Sequence, residues 1–269
     1  MDKIHFTKMV AGGNDFVVLD NRDGMIEVTA GWVRKICQRK LGIGADGMLI
    51  VERSKVADFK MRIINSDGSE AEMCGNGARC VAKFAQDKEI AGSLMKFETL
   101  SGIIDAMVTV QRVKVKLTDP INLTLNKKVQ LKDTEITLHC LNTGVPHAVL
   151  ITEKIENAPV VDWGREIRWH QDFASAGTNV DFIQIIDTQT IKIRTYERGV
   201  EDETLACGTG SAASACIAAM LELTNPLVKM ITIGGEILEI DFDRAGENIT
   251  NLYLTGDVQV VYEGVMANE

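Results

Sequence analysis

One short pattern occurs twice in this sequence, and the duplication restricts the folds open to the chain more than any other feature. Residues 72–85 read EMCGNGARCVAKFA, and residues 205–221 read LACGTGSAASACIAAML. In each copy a Cys, Cys74 or Cys207, is followed by Gly, a polar residue and a second Gly, and then by small and apolar residues that can form a helix. The pattern predicts two similar halves, each with a Cys where a loop enters a helix.

The N-terminus of a helix suits both a reactive thiol and an anionic ligand. The first amides of a helix have no partner within it, and the macrodipole adds about half a positive charge there. Such an end binds anions, including carboxylates, and lowers the pKa of a Cys from about 8.5. Gly75 and Gly208 directly follow the two Cys and let the backbone approach a ligand closely. We therefore expect the two helices to direct their N-termini at one shared site.

Features around the two motifs also recur, and this recurrence separates them from an ordinary tight turn. The matched pairs are Asn65 with Arg198, Glu70 with Glu203, and Asn14 with Asn179, the last within residues 12–20 (GGNDFVVLD) and 177–187 (GTNVDFIQIID). The repeat is far too long for a solenoid. It predicts a duplicated domain with an Asn-containing turn, strands, a polar loop and the Cys helix in each half.

Composition excludes several classes of protein. The net charge of −9 argues against a nucleic-acid partner. No apolar run reaches the roughly 18 residues of a membrane span, and the N-terminal segment has no apolar signal core, so we expect a cytoplasmic protein. The six Cys are irregularly spaced, which predicts thiols and neither a disulfide framework nor a metal site.

Hydrophobic periodicity and turn signals predict an alternation of strands with few helices. The expected helices are residues 31–40, 75–86, 163–173 and the second Cys helix to about residue 223. The expected strands are residues 4–9, 16–19, 48–52, 59–64, 96–100, 103–110, 113–117, 129–131, 136–142, an apolar strand after the turn at residues 144–147, and residues 191–196, 230–233, 236–242, 251–255 and 258–262.

Taken together, the segments MCGNGARC, ACGTGSA, KMVAGGNDFVVLD, GTNVDF and YERGVEDET resemble the diaminopimelate epimerase family over nearly the whole chain. The related proline racemases usually carry His at the position of Asn76, and the phenazine-biosynthesis relatives lack the Cys pair, so both fit less well. The resemblance implies an α/β (α+β) fold of two pseudo-symmetric halves, each a curved mixed or antiparallel sheet around a central helix. We expect the halves to be residues 1–118 and 119–256, with the last strand, about 257–269, returning to the first half.

The resemblance also implies a function. Family members interconvert LL- and meso-2,6-diaminopimelate, in lysine and peptidoglycan precursor biosynthesis, by a two-base inversion at the α-carbon that needs no cofactor and no metal. Cys74 and Cys207 match the thiolate/thiol acid–base pair. The substrate contacts carried over are Asn14, Asn65, Asn179, Glu197, Arg198 and the backbone amides of Gly75, Asn76, Gly208 and Thr209, and the residues that tune the thiol pKa values are His147 and Glu197. A small-molecule substrate, a homodimer and a cytoplasmic location are implied as well.

Two departures from the family pattern leave alternatives open. Many members have Asn where this chain has Val145, and Gln where it has Gly47. A racemase for another amino acid would account for both, although Arg198 favours a substrate with a second carboxylate. A thiol redox or binding protein that switches through a Cys74–Cys207 disulfide is the alternative from another class.

Overall fold

The computed structural model describes residues 3–267. The chain divides into two compact units, Met1–Val115 with Gly256–Glu269 (unit 1) and Lys116–Thr255 (unit 2). The last two residues of the expected strand 257–269 lie outside the described residues. Strands predominate over helices in both units, which confirms the α+β class.

The secondary-structure elements follow one another as strands grouped around four α-helices. In chain order they are β1 (Lys3–Ala11), β2 (Asn14–Asp20), α1 (Ala30–Cys37), β3 (Gly47–Glu52), β4 (Phe59–Asn65), β5 (Glu70–Ala71), α2 (Gly75–Asp87), β6 (Leu94–Thr99), β7 (Gly102–Val108), β8 (Arg112–Lys116), β9 (Ile121–Gln130), β10 (Glu135–Asn142), β11 (Pro146–Ile151), α3 (Val160–Arg168), β12 (Asn179–Asp187), β13 (Thr190–Glu197), β14 (Asp202–Thr204), α4 (Gly208–Met220), β15 (Val228–Thr232), β16 (Ile237–Ala245), β17 (Asn248–Asp257) and β18 (Gln259–Ala267).

The two units have the same strand topology. In unit 1, β18, β1 and β2 are antiparallel neighbours, β2 is parallel to β3, and β3 is antiparallel to β4. Strand β4 pairs with β5 in antiparallel and with β6 in parallel orientation, and β7 follows β6 as a hairpin. Unit 2 repeats these pairings in the same order and orientation with the strands β9 to β16, where β9 takes the place of β18 and β10 that of β1. This identity of pairing supports the duplication that the sequence predicts.

Each Cys motif opens the central helix of its unit. Helix α2 packs against β1, β2, β3, β4 and β7, and α4 packs against β10, β11, β12, β13, β15 and β16. Residues 210–219 of α4 are all buried. Their sequence is rich in Gly, Ala and Ser, and these small side chains let strands approach from every side of the helix. The predicted bounds of α2, 75–86, are confirmed within one residue.

Several expected bounds are wrong. Helix α1 ends at Cys37 and not at residue 40, because its buried face is Val33 and Cys37, whereas Leu41 is 81% exposed. Helix α3 covers Val160–Arg168 and not residues 163–173, and a separate 3-10 turn, Gln171–Phe173, follows it. Helix α4 ends at Met220 and not near residue 223. Strand β9 covers Ile121–Gln130 and not residues 129–131 alone, and the polar outward face of its first part explains why hydrophobicity does not indicate a strand there.

The internal alignment drawn from the sequence also needs correction. Residues 12–20 form a turn and β2, whose topological equivalent is β11; residues 177–187 form β12, the equivalent of β3. Asn65 ends β4, whereas Arg198 lies in the loop after β13, and the strand register places Glu197 at the position of Asn65. The hairpin that joins β13 to β14 has one residue more than the hairpin that joins β4 to β5. An alignment counted back from the two Cys therefore matches Asn65 with the wrong residue.

Candidate active site

The half-site in unit 1 is built on the first turn of α2. Cys74 is the N-cap residue, with an extended backbone (φ −145°, ψ 120°), and its carbonyl oxygen accepts the first helical hydrogen bond from Ala78 N at 2.8 Å. Its side chain is half-buried. The thiol therefore projects from the helix N-terminus, and Gly75 and Asn76 supply the amides of the first turn, as the motif predicts.

A chain of side-chain hydrogen bonds holds the Asn14 amide beside this turn. Asn14 Oδ1 accepts from Asn76 Nδ2 at 2.7 Å, and Asn76 Oδ1 accepts from Arg79 Nη2 at 3.0 Å. On its other side Asn14 Nδ2 donates to Asp46 Oδ2 at 3.3 Å. Gly12, in a left-handed conformation (φ +59°), packs so closely that a Cβ there would lie 2.6 Å from the Asn76 side chain. The Asn14 and Asn76 side chains are thus fixed before any substrate binds.

Asp46 and Asp15 anchor this chain to the sheet. Asp46 Oδ2 accepts from the Asp15 backbone amide at 3.1 Å, and Arg39 Nη2 donates to Asp46 Oδ1 at 2.7 Å. Lys8 lies 2.7 Å from Asp15, and this cation together with Arg39 lowers the pKa of Asp15 although burial opposes the shift. Asn65 does not join this network: its Nδ2 donates to Ser69 Oγ at 3.0 Å within the hairpin that leads to Cys74.

The half-site in unit 2 begins in the same way but is more enclosed. Cys207 is the N-cap residue of α4, and Ser211 N donates to its carbonyl oxygen at 2.9 Å. Cys207 is only 8% exposed. Burial, followed by the negative charges of Glu197 and Asp181, raises its pKa well above the usual range, although hydrogen bonds from Thr209 and the Gly210 amide act in the opposite direction. The expectation of a lowered pKa is therefore wrong for Cys207, because burial outweighs the hydrogen bonds from the first turn of the helix.

Behind Cys207 lies a line of polar side chains. The Cys207 sulfur is 3.5 Å from Thr209 Oγ1, which is 3.0 Å from His147 Nε2. His147 Nδ1 is 2.7 Å from Asp181 Oδ2, and Thr195 Oγ1 donates to Asp181 Oδ1 at 2.7 Å. The His147 and Asp181 side chains are completely buried. His147, the lone His at a strand entrance, therefore lies next to the predicted thiol.

Asn179 orders the segment that carries Arg198. Its Oδ1 accepts from the Arg198 backbone amide at 2.8 Å, and its Nδ2 donates to the Pro146 carbonyl oxygen at 3.2 Å. The half-buried Arg198 guanidinium donates to the Ala176 carbonyl oxygen at 3.4 Å. Burial raises the pKa of Glu197, the preceding residue. In unit 2 the structure thus brings together His147, Asn179, Glu197, Arg198, Cys207 and Thr209.

Sequence reasoning missed four residues that organise these half-sites. They are Asp46 and Arg79 in unit 1 and Asp181 and Thr195 in unit 2. The available signal was a charged residue within an apolar run: Asp181 interrupts the strand NVDFIQIID, and Arg79 lies within the small-residue stretch of α2. Both side chains are buried. Within residues 3–267 no group of three or more His, Cys, Asp or Glu could hold a metal ion, and no helix of that range is long and apolar enough to cross a membrane.

Comparison with known proteins decides the family. The diaminopimelate epimerase family model matches residues 6–122 and 139–261. The chain belongs to the diaminopimelate epimerase family. The family member from Aquifex aeolicus is 43% identical, with 99% of each chain covered. The member from Archaeoglobus fulgidus is 39% identical, covering 98% of this chain and 96% of the relative.

Solved structures of more distant proteins share the fold. A probable proline racemase from Agrobacterium radiobacter K84 superposes with a TM-score of 0.72 at 16% identity, covering 99% of this chain and 93% of the other. A phenazine biosynthesis protein from Bacillus anthracis gives a TM-score of 0.71 at 15% identity, covering 99% and 100%. At these identities the likeness establishes the fold alone, which confirms the architecture expected for a diaminopimelate epimerase family member.

Proposed function

We propose that this protein interconverts LL- and meso-diaminopimelate by proton transfer at one α-carbon, with Cys74 and Cys207 as the two acid–base groups. The observation that carries the proposal is a repeated structural feature: each unit of this family member presents one Cys as the N-cap of its buried central helix. The relatives from Aquifex aeolicus and Archaeoglobus fulgidus are both named diaminopimelate epimerase.

Inversion at carbon explains why two such groups are present. The α-proton must leave one face of the carbon, and a proton must arrive on the other, which a single base cannot readily do. One Cys accepts as a thiolate while the other donates as a thiol. Because burial raises the pKa of Cys207, we infer that Cys207 begins as the thiol, which leaves the thiolate role to Cys74 in a cycle that starts from this state.

Charge that builds up on the substrate needs stabilisation beyond the thiols. A helix terminus contributes up to ~2 kcal/mol, which is roughly 1.5 pKa units of a thiol, and this is too little to acidify a proton beside a carboxylate. We assign the further contribution to the backbone amides of the two first turns, Gly75 and Asn76 with Gly208 and Thr209, directed at the α-carboxylate. These amides are the unpaired donors that every helix start provides.

The remaining substrate contacts follow from the half-sites. We assign Asn14, Asn65 and Asn179 to holding the substrate, Glu197 to the α-amino end, and Arg198 to the distal carboxylate, where a guanidinium can bind both oxygens. The Asn179 hydrogen bond to the Arg198 amide supports this assignment, because it fixes the start of the Arg198 loop. His147 and Glu197 act on the protonation of Cys207. We also infer a cytoplasmic homodimer that uses no cofactor, and sedimentation analysis would test the dimer.

The experiment that tests this function follows the α-proton directly. Reduced protein is incubated with LL-diaminopimelate in D2O without pyridoxal phosphate or metal, and the reaction is followed by NMR. We expect deuterium at one α-carbon together with conversion towards the meso isomer. No exchange with diaminopimelate, but exchange with another member of an amino-acid panel, would assign a different substrate to the same chemistry.

Substitution of each thiol tests the two roles separately. Cys74→Ala and Cys207→Ala should each abolish epimerisation, because each removes one of the two groups that inversion requires. The matched control is Cys140→Ala, since Cys140 is a half-buried thiol on β10 outside both half-sites. Full turnover by either single variant would refute the two-thiol mechanism, and loss of activity in the control would show that the substitutions act through folding.

A further inference from the structure

Topologically equivalent residues beneath the two thiols differ sharply between the units. A Cβ on Gly77, three residues after Cys74, would lie 3.0 Å from Leu49, and a Cβ on Gly210, three residues after Cys207, would lie 2.3 Å from Asp181. Leu49 and Asp181 therefore occupy the same place against the central helix.

The neighbours of these two residues correspond as well. Leu49 pairs with Ile63 in the strand register, as Asp181 pairs with Thr195, and Phe16 pairs with Gly47 as His147 pairs with Asn179. The unit 1 set, Leu49, Ile63 and Phe16, is apolar, and the equivalent unit 2 set, Asp181, Thr195 and His147, is polar. All six side chains are buried.

This comparison shows that the architecture does not require the polar set. Unit 1 builds the same strand pairings over apolar side chains at these positions. Removing a carboxylate and an imidazole from water carries a desolvation cost, and replacing a buried ion pair by apolar residues is often neutral or stabilising. The polar set of unit 2 is thus better explained by the chemistry of Cys207 than by folding.

The geometry assigns a proton relay to Asp181, His147 and the Thr209 hydroxyl, in which Asp181 orients His147 and the Thr209 hydroxyl conducts a proton between His147 Nε2 and the Cys207 sulfur. The assignment deepens the proposed function and rests on it for the role of Cys207. Asp181 and Thr195 do not touch the thiol, so they are positioning residues. The relay uses the contacts of 2.7 Å, 3.0 Å and 3.5 Å that connect these groups in order.

The tautomer of His147 follows from its partners. A carboxylate oxygen only accepts hydrogen bonds, so His147 Nδ1 carries the proton and donates to Asp181 Oδ2. The Thr195 hydroxyl donates to the other oxygen and fixes the carboxylate plane. His147 Nε2 is then an acceptor, to which the Thr209 hydroxyl donates, and the Thr209 oxygen accepts from the Cys207 S–H.

The relay moves two protons in coupled steps, and none is gained or lost. The S–H proton of Cys207 passes to the Thr209 oxygen as the original Thr209 hydroxyl proton passes to His147 Nε2, which gives a thiolate and an imidazolium beside the Asp181 carboxylate. The reverse steps restore the thiol. Because Cys207 is nearly closed to solvent, an acceptor within the protein provides a route that bulk water does not. The charged groups whose fields reach the thiol are Glu197 on β13 and Asp181 on β12.

Nitrogen NMR of the substrate-free protein tests the orientation of His147. The chain has four His, and the His147 signals are assigned by comparison with His147→Gln. We expect a protonated Nδ1 and an unprotonated Nε2 in the native protein, and loss of this single tautomer in Asp181→Asn. A native His147 protonated on Nε2 while neutral would overturn the relay. This measurement needs no turnover, so it separates failure of the relay from failure of the proposed function.

Kinetics of Thr209 variants test the conducting hydroxyl. Thr209→Val keeps the backbone amide and nearly the same shape but removes the hydroxyl, and we expect kcat to fall on the order of 10²-fold with a shifted pH profile. Thr209→Ser restores the hydroxyl and should recover most of the activity. The control Thr232→Val removes a buried hydroxyl of unit 2 that donates to the Glu236 carbonyl oxygen at 3.2 Å, outside both half-sites, and its pH profile should stay close to native. Equal activity of Thr209→Val and Thr209→Ser would overturn the relay.

Discussion

Gly210→Ala, which adds one methyl group, should destabilise the protein although Ala has a higher helix propensity than Gly. Neither Gly210 nor its equivalent Gly77 requires a positive φ, so Ala fits the backbone at both positions. Gly→Ala inside a helix contributes about 0.5–1 kcal/mol of stability. At Gly210, however, the new Cβ would lie 2.3 Å from Asp181 Oδ1, whereas carbon and oxygen atoms in close contact stay about 3.3 Å apart.

The carboxylate must therefore move by about 1 Å, and it cannot do so without losing hydrogen bonds. Asp181 accepts from His147 and from Thr195, each at 2.7 Å. A hydrogen bond to a charged group is worth about 1.5–3 kcal/mol. Loss of one or both, offset by the helix gain, predicts that Gly210→Ala lowers the free energy of unfolding by about 1–5 kcal/mol. It should also reduce kcat, since His147 loses its partner.

Gly77→Ala is the matched control. It lies at the same position of the other central helix. Its Cβ would have one tight contact, at 3.0 Å with the end of the Leu49 side chain, which can shift by a few tenths of an ångström. We expect its stability to stay within about 1 kcal/mol of native. Urea denaturation followed by circular dichroism, with the m-value checked for constancy, measures both variants. A Gly210→Ala protein as stable as Gly77→Ala would refute the close contact with Asp181.

Two further predictions concern charged groups at the half-sites. Asp46→Ala removes the acceptor of the Asn14 amide. It should raise KM about tenfold, the equivalent of ~1.4 kcal/mol, with little change in kcat. The control Arg22→Ala, in an exposed ion pair of the same unit, should leave KM and kcat unchanged. Burial raises the pKa of Glu197 in the folded protein. Ionisation of Glu197 therefore destabilises the native state when the pH is above this folded-state pKa. Below the pKa of Glu in the unfolded chain, about 4.3, the carboxyl is protonated in both states and the free energy of unfolding is unaffected. Glu197→Gln should therefore unfold at higher urea than native at pH 8 and at the same urea at pH 4, and equal midpoints at both values would contradict the burial argument.

The parts of the fold that the sequence predicts well are those specified locally. The sequence predicts helix α2 at residues 75–86, and the helix covers Gly75–Asp87, because the Cys-Gly start and the following small residues are contiguous in the chain. The alternation in β16 is confirmed by the burial of Leu238, Ile240 and Phe242. Such signals need only the period of the element itself.

The parts that were missed depend on partners distant in sequence. The contact of Asp181 with His147 requires the parallel register of β11 and β12, and the contact of Asn14 with Asp46 spans 32 residues. No local pattern gives a register between strands. The mistaken match of Asn65 with Arg198 has the same origin, since one additional loop residue after β13 is invisible until the pairings are known.

The duplication also explains how two Cys in the same local setting can differ. Both units keep the N-cap Cys and, in the strand hairpin that precedes it, a bidentate ion pair, Arg62 with Glu70 and Arg194 with Glu203. The proposed two-base inversion nevertheless needs one thiol and one thiolate, which two identical surroundings would not provide.

The difference comes from the strands around the helix and not from the helix. Unit 2 places the acidic Glu197 and Asp181 where the corresponding residues of unit 1 are the uncharged Asn65 and Leu49. Negative charge and burial both favour the neutral thiol, and both act on Cys207. Replacing Asp181 by Leu and Thr195 by Ile would copy unit 1 into unit 2, and we expect such a protein to fold but to hold the Cys207 proton less tightly. Site-resolved alkylation of Cys207 against pH measures this, and an unchanged or higher apparent pKa would contradict the argument.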